Sequence, residues 1–378
     1  MKTFITTSES WNKFKKELLH DAKSAEYLTK ESLKSLDIDH LSVVDKTKLP
    51  PSGLKNDYVS MAPYWWPDPQ KPDGLPYIRR DGETNPEHYN TDRTQLEHLC
   101  DAVSCLTIQS FVSENEIHAS HVGRLLRCWF LEPSTMMNPH LRYAQYIPGR
   151  CEGRGLGLID TMNLCHMLDM VSHLPFSKSW TQNDLSGLKD WVGSYLEWFL
   201  KSEHGQTECR EFNNHGTWYD TQVVCFAVFC GQDKIARDQI ENHVYPRISS
   251  QIEPDGSQPH ELARTLSMSY CTFNLTGFAI LSRLSRQMGI DLWGWKTADG
   301  RGILPAIRWM LPYYMGRKNW NWTQLNEFPP SKAAFLLSLA AEDTQDGEII
   351  EAAGKLAEFP WSKISAWRTG VREFNNKS

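Results

Sequence analysis

The sequence lacks any apolar run long enough to cross a membrane. No uncharged apolar run is longer than Ala333–Ala341, less than half of the about 20 residues a span needs, and with a mean hydropathy of −0.50 a soluble chain without a membrane partner is expected. It also lacks an excess of positive charge. Against 46 Asp+Glu stand 40 Lys+Arg, a formal charge of −6, so no nucleic-acid partner is expected, because such binding draws on Lys and Arg spread along phosphates. An anionic partner must be gripped by local Arg and Lys. The 9 cysteines are scattered singly with no CxxC pair, which excludes a zinc ribbon and a disulfide framework. Cys128, Cys165 and Cys225 fall within apolar helical patterns, where a reduced thiol packs as a small hydrophobe. Among 13 His there is no HExxH, and the close pair His118 and His121 sits on a helix of surface character, so a metallohydrolase is disfavoured and neither metal nor cofactor is expected. The opening MKTFITTSESWNKFKK turns polar before any signal-peptide core forms. The literal reading is an intracellular protein, or an exported one whose leader has been removed.

Alternating strands and a fixed repeat are missing too. What is present is a spacing of three and four between apolar positions, the period of helices. After Asp92, read as an N-cap, come Leu96, Leu99, Cys100, Val103 and Leu106, then Ile117, Val122, Leu125, Leu126 and Trp129. Further helices are predicted over Trp11–Leu36, Gly157–Leu174, Leu185–Leu200, Trp218–Phe229, Lys234–Ile252, Ala263–Met288, Leu304–Tyr314, Ser331–Ala341 and Glu348–Phe359. Length alone allows two or three domains, but paired helices in this number suit one all-α unit, an (α/α) toroid over residues 1–378. Two long segments break the rhythm, Leu49–Asp92 and Leu131–Gly155, and loops of that length are uncommon unless functional. The first is expected to give a lid over 58–92, the second a groove wall over 131–155.

Both loops mix aromatics with Arg, in PYWWPDPQKPDGLPYIRRDG and MNPHLRYAQYIPGRCEGRG. The 15 Trp of the chain can fill helix packing or stack on sugar rings. Trp65 and Trp66, in a Pro-rich loop, are the two expected as exposed platforms. Arg79, Arg80, His140, Tyr143 and Gln145 are candidates to hold carboxylates and hydroxyls of a sugar chain. The alternatives are a solvated charge pair for Arg79 and Arg80 and a loop-ordering role for His140.

The most informative segment is ECREFNNHGTWYDTQ, with Asn213, Asn214 and His215 at a helix start. Asn is a favoured cap, and His215 and Tyr219, at i and i+4, project from one face. In EPDGSQPHELARTLSMSYCTFN a turn at Pro254–Gly256 leads into a helix carrying Arg264, with Tyr270 six residues on. On an unbroken helix that separation puts the two on different faces, so either the helix is irregular or they address different parts of one ligand. The alternatives are a salt bridge from Arg264 to Glu261 and, for Tyr270, a hydrogen-bonded core aromatic.

Taken together, NNHGTWYD, DGSQPHELAR with Tyr270, MNPHLRYAQYIPG with GRGLGLIDT, and the YWWPDP and GLPYIRRDG loop resemble the alginate lyase-type polysaccharide lyases of families five and thirty-eight. The matches run from Tyr58 to Asn274 in the family's order. The resemblance implies an incomplete, single-domain α/α toroid, monomeric, that cleaves an anionic polysaccharide by β-elimination without a metal, with Asn214, His215, Arg264 and Tyr270 as the catalytic set.

The chemistry asks for these residue types. The C5 proton of a uronate is weakly acidic because the adjacent carboxylate is already negative. Asn214 can donate an amide hydrogen bond and Arg264 a bidentate charged pair to that carboxylate. His215 suits either the base or a protonated neutraliser. Tyr270 can protonate the departing O4 and also act as base. The sequence leaves these two roles open, as it does the uronan: mannuronate-rich alginate, guluronate or β-1,4-glucuronan. An α/α-toroid glycoside hydrolase needs two carboxylates across the bond, for which Asp255 and Glu261 are the nearest, though a PDG turn and a helix explain them as well. A non-catalytic carbohydrate-binding protein leaves the four residues without a task.

Overall fold

The computed structural model describes residues 4–175 and 177–356. The fold divides into two compact units, one of residues 30–210, the other of residues up to 29 together with those from 211 on. The first helices are α1 (Ser8–Leu19) and α2 (Ala22–Leu36). They replace the single helix expected over Trp11–Leu36, and the division between the units falls within α2.

The unit of residues 30–210 contains β1 (Val59–Met61), β2 (Trp65–Trp66), β3 (Ile78–Arg79), α3 (Asp92–Ser113), α4 (Glu116–Phe130), β4 (Tyr143–Tyr146), α5 (Asn163–Val171), α6 (Gln182–Lys201) and α7 (Glu203–Cys209). The expected stripe of α3 is buried against α4 and α5, and that of α4 likewise except for Ile117, which is exposed. Thr181 and Asp184 form a capping box at the start of α6. Arg127 reaches from α4 to hold the same Asp184 with two hydrogen bonds of 2.7 Å, which fastens the two helices. Asp92 is not the cap of α3. Thr91 holds that position, while the buried Asp92 carboxylate accepts from Val59 N–H (2.8 Å) and pairs with Lys46 (3.0 Å).

Strands do occur, contrary to expectation. β1 runs parallel to β4 and β2 antiparallel to β3, with Trp65 opposite Arg79. Each has only two to four residues, too few for a period of two to be read.

The other unit adds α8 (Asn214–Phe229), α9 (Asp233–Gln239), α10 (Tyr245–Gln251), α11 (Pro259–Leu262), α12 (Ser267–Arg286), α13 (Ile303–Tyr314), α14 (Ala334–Thr344) and α15 (Gly347–Leu356). The last three residues of the helix expected over Glu348–Phe359 lie outside the described residues. α9 and α10 are joined by a π turn, Ile240–Val244, where Pro246 has no N–H to give an ordinary helical bond. α8 and α12 pack on each other, with Trp218 stacked on Phe273 at 4.9 Å. Trp11, Trp129, Trp180 and Trp218 are fully buried and serve packing. All nine cysteines are thiols, and His118, expected on a surface face, is buried.

Candidate active site

The two adjacent asparagines at the start of α8 divide the work. Asn213 is the N-cap, its Oδ1 accepting from His215 N–H at 3.0 Å. Asn214, the first helical residue, is 1% exposed and turns to Glu261 at the end of α11. Glu261 Oε1 accepts from the Asn214 backbone N–H (2.6 Å) and Oε2 from its Nδ2 (2.8 Å), a two-point hold on the helix start.

Gly216 follows because nothing larger fits. A Cβ there would lie 2.0 Å from Arg247 Nη1 and 2.2 Å from the Glu211 carbonyl. That guanidinium is itself committed, donating to Glu211 O and, through Nε and Nη2, to Asp220 of the same NNHGTWYD segment. Thr217 donates to Gln251 Oε1 (2.9 Å), and Gln251 Nε2 in turn to the Asn213 carbonyl (2.9 Å). The motif is therefore largely scaffold, built to hold Asn214 and His215 in place. His215 is half-buried. Tyr219, one turn on, is buried at 2% exposed within the packed face of α8.

Arg264 and Tyr270 share no continuous helix. α11 stops at Leu262, residues 263–266 form a break, and α12 starts at Ser267. The break is held by a distant strand-like segment: Leu325 N–H donates to Thr265 O, Ser267 N–H to Thr323 O, and Met268 N–H to Gln324 Oε1. It lets the Arg264 guanidinium fold back over the Tyr270 ring, 3.8 Å from its centroid. Both side chains are half-buried, so Tyr270 is not a core aromatic. Glu261 stands where these groups converge. Burial pushes its carboxyl up to about 7, against the hydrogen bonds from Asn214 and the charges of Arg264 and His215. Its hold on Asn214 is what sequence reasoning missed, because a Glu in a short helix carries no sign of a partner 47 positions away.

The candidates of the unit of residues 30–210 are less open than expected. Trp65 is half-buried against Met61, Ala62, Tyr77 and Ile147, with Arg150 over its ring at 4.9 Å. Trp66 donates to Glu83 O and lies under Arg80, 5.2 Å away. Arg79 pairs with Asp81 at 2.6 Å and Arg80 with Glu83 at 3.9 Å. His140 is held by Asp57 at 3.1 Å, and burial lowers its pKa despite that carboxylate. Tyr143 and Gln145 are buried on β4. Gln145 spends its amide inside the protein, donating to Asp160 Oδ1 (3.0 Å) and accepting from Arg154 Nη2 (2.7 Å). That double tie holds it at φ 51°, a left-handed conformation costly for a residue with a side chain. It orders Arg154 and is not itself presented to a ligand.

These contacts separate the loop residues by test. Trp65→Ala is expected to cost about 2 kcal/mol of stability through lost packing. Arg80→Ala should leave the melting temperature nearly unchanged, since exposed pairs contribute little, and raise KM several-fold. An unchanged KM in Arg80→Ala would remove it from substrate binding. Among the described residues no three His, Cys, Asp or Glu side chains are grouped as for a metal ion, and no helix is long and apolar enough to cross a membrane.

The family model described as alginate lyase matches residues 42–320. A crystal structure of an alginate lyase from Bacteroides ovatus matches with a TM-score of 0.91 and 35% identity, covering 97% of this chain and 99% of that one. Alginate lyase A1-III from Sphingomonas species A1 matches with a TM-score of 0.55 and 14% identity over 85% of this chain and 88% of its own, a likeness of fold. A variant of the same lyase, complexed with a tetrasaccharide, gives 0.56 at 13% identity. No curated protein sequence matches the chain. The expectation of an all-α chain of the α/α-toroid class agrees with these likenesses and with the helices described above.

Proposed function

This chain belongs to the alginate lyase family and is a polysaccharide lyase, and from that premise we propose that it cleaves 1,4-linked polyuronates, mannuronate-rich alginate or glucuronan, by β-elimination. The observation that carries this reading is the convergence of an amide donor, a guanidinium and a phenol: Asn214 fixed by Glu261, and Arg264 folded onto Tyr270. In this reading Asn214 Nδ2 and Arg264 bind the C6 carboxylate and offset the second charge that develops there as the C5 proton leaves. His215, beside Asn214, is the base or the protonated third neutraliser. Tyr270 passes a proton to the glycosidic O4, and the C4–O4 bond breaks as the C4=C5 double bond forms.

Hydrolysis fits the same residues less well. Asp255 Oδ1 accepts from Ser257 N–H at 2.9 Å, the lock of its turn, and both oxygens of Glu261 are engaged with Asn214. A panel of defined polyuronates, followed for the ultraviolet absorbance of a 4,5-unsaturated end, tests the reading. New reducing ends without that absorbance would sink it and identify a hydrolase. Because neutralisation is assigned to Asn214, His215 and Arg264, activity is expected to survive exhaustive chelation. Loss on chelation with recovery on adding a divalent ion would take neutralisation away from these side chains.

A further inference from the structure

The start of α8 holds an unusual pairing of a buried acid with a buried amide. Glu261 and Asn214 are each 1% exposed, and the acid takes both the main-chain and the side-chain N–H of the asparagine. An ionised carboxylate only accepts hydrogen bonds, so it compels Asn214 to turn Nδ2 toward it. The consequence is visible at the other end of the amide: Asn214 Oδ1 is buried and, among the described residues, accepts from no donor. A buried acceptor without a partner costs free energy. It is also the wrong atom to offer an incoming carboxylate, because two acceptors repel.

We propose that Glu261 is a positioning residue that works in its neutral form: when a uronate carboxylate arrives, Glu261 takes one proton from solvent, the Asn214 amide turns over, and the new Glu261 O–H donates to Asn214 Oδ1 while both Nδ2 hydrogens face the sugar. The inference rests on the assignment of Asn214 to the uronate carboxylate. No covalent bond other than the new O–H is made, and the proton taken up offsets the charge brought in by the ligand. The remaining Glu261 oxygen keeps the Asn214 backbone N–H, so the helix start need not move.

The surroundings suit such a step. The titratable and charged groups that act on Glu261 are His215 on α8, Arg264 in the break, and Cys271 on α12, whose thiol is itself pushed up by burial and by the Glu261 charge. Its own carboxyl, at about 7, already lies close to neutral solution, so a further negative charge nearby suffices to protonate it.

The test is proton uptake on binding, measured by titration calorimetry with a saturated mannuronate tetrasaccharide in buffers of different ionisation enthalpy at pH 8. The Tyr270→Phe protein is used so that ligand binds without being cleaved. It is expected to take up close to one proton, and its Kd should weaken about tenfold per pH unit above neutrality. Glu261→Gln added to it imitates the neutral acid, with Nε2 donating to Asn214 Oδ1. That protein should bind with uptake near zero and with Kd almost flat between pH 7 and 9. In the otherwise native enzyme Glu261→Gln should move the alkaline limb of the kcat/KM–pH profile to higher pH, which loss of a merely structural Glu would not do. Uptake that persists in the Gln variant assigns the proton to His215 and overturns the inference alone, as does a buffer-independent enthalpy in Tyr270→Phe. Failure of Tyr270→Phe to bind any polyuronate overturns the proposed polyuronate reading and this inference with it.

Discussion

Tyr270→Phe is expected to fold and bind polyuronate yet lose turnover by about 10²- to 10⁴-fold, the range of a general acid–base group, with a residue serving as both base and acid at the upper end or beyond. The structure makes the substitution a clean one. The ring sits half-buried at the start of α12, and the Arg264 guanidinium lies over its face, 3.8 Å from the centroid. Phe keeps that face, so the stability change should stay within roughly 1 kcal/mol. Melting temperature, tetrasaccharide binding and initial rate on this one variant decide the matter. Near-native turnover would pass the proton to His215, since Tyr219 is packed inside α8 and too enclosed to reach a polymer.

Much of the scaffold is legible from helical periodicity, because α4, α6 and α13 each bury one apolar stripe, whereas α8 is buried nearly all round. What escapes is whatever depends on a distant partner. The stretch ELARTLSMSY reads as one helix, and on that helix Arg264 and Tyr270 diverge. Only the backbone bonds from residues 323–325 to residues 265 and 267 break it, and no local signal announces a segment more than fifty residues away. The tie of Glu261 to Asn214 is missed for the same reason, its acid being defined by Asn214 and not by its own helix. Trp65 and Trp66 mislead in the opposite direction. Pro-rich surroundings suggest open platforms, but a two-residue hairpin pairs them with Ile78 and Arg79, and cations cover one face of each ring. By contrast the Asn-Asn-His start is read correctly as a cap, because capping is local; which of the two asparagines caps is settled by the long-range hold of Glu261 on the second.

Arg264→Lys should lower kcat/KM by about 10²- to 10³-fold, a loss comparable to removing one oxyanion donor, even though the charge is retained. Lys is a point charge without the planar fork, so it can neither clamp a carboxylate with two parallel bonds nor lie flat over the Tyr270 ring. Arg264 stands in the break between α11 and α12, half-buried, so the melting temperature should change little and the loss be one of chemistry. The same contact makes a stronger demand. Residues in direct contact that serve one step do not add, and the pair at 3.8 Å should behave as a unit. Once Tyr270→Phe has removed the proton donor, adding Arg264→Lys should cost turnover little more, while still weakening the binding of a mannuronate tetrasaccharide, because the carboxylate clamp is lost in either background. Full additivity of the two rate losses would mean that Arg264 serves the carboxylate independently of Tyr270, and that the stacking seen between them is packing without a part in the proton transfer.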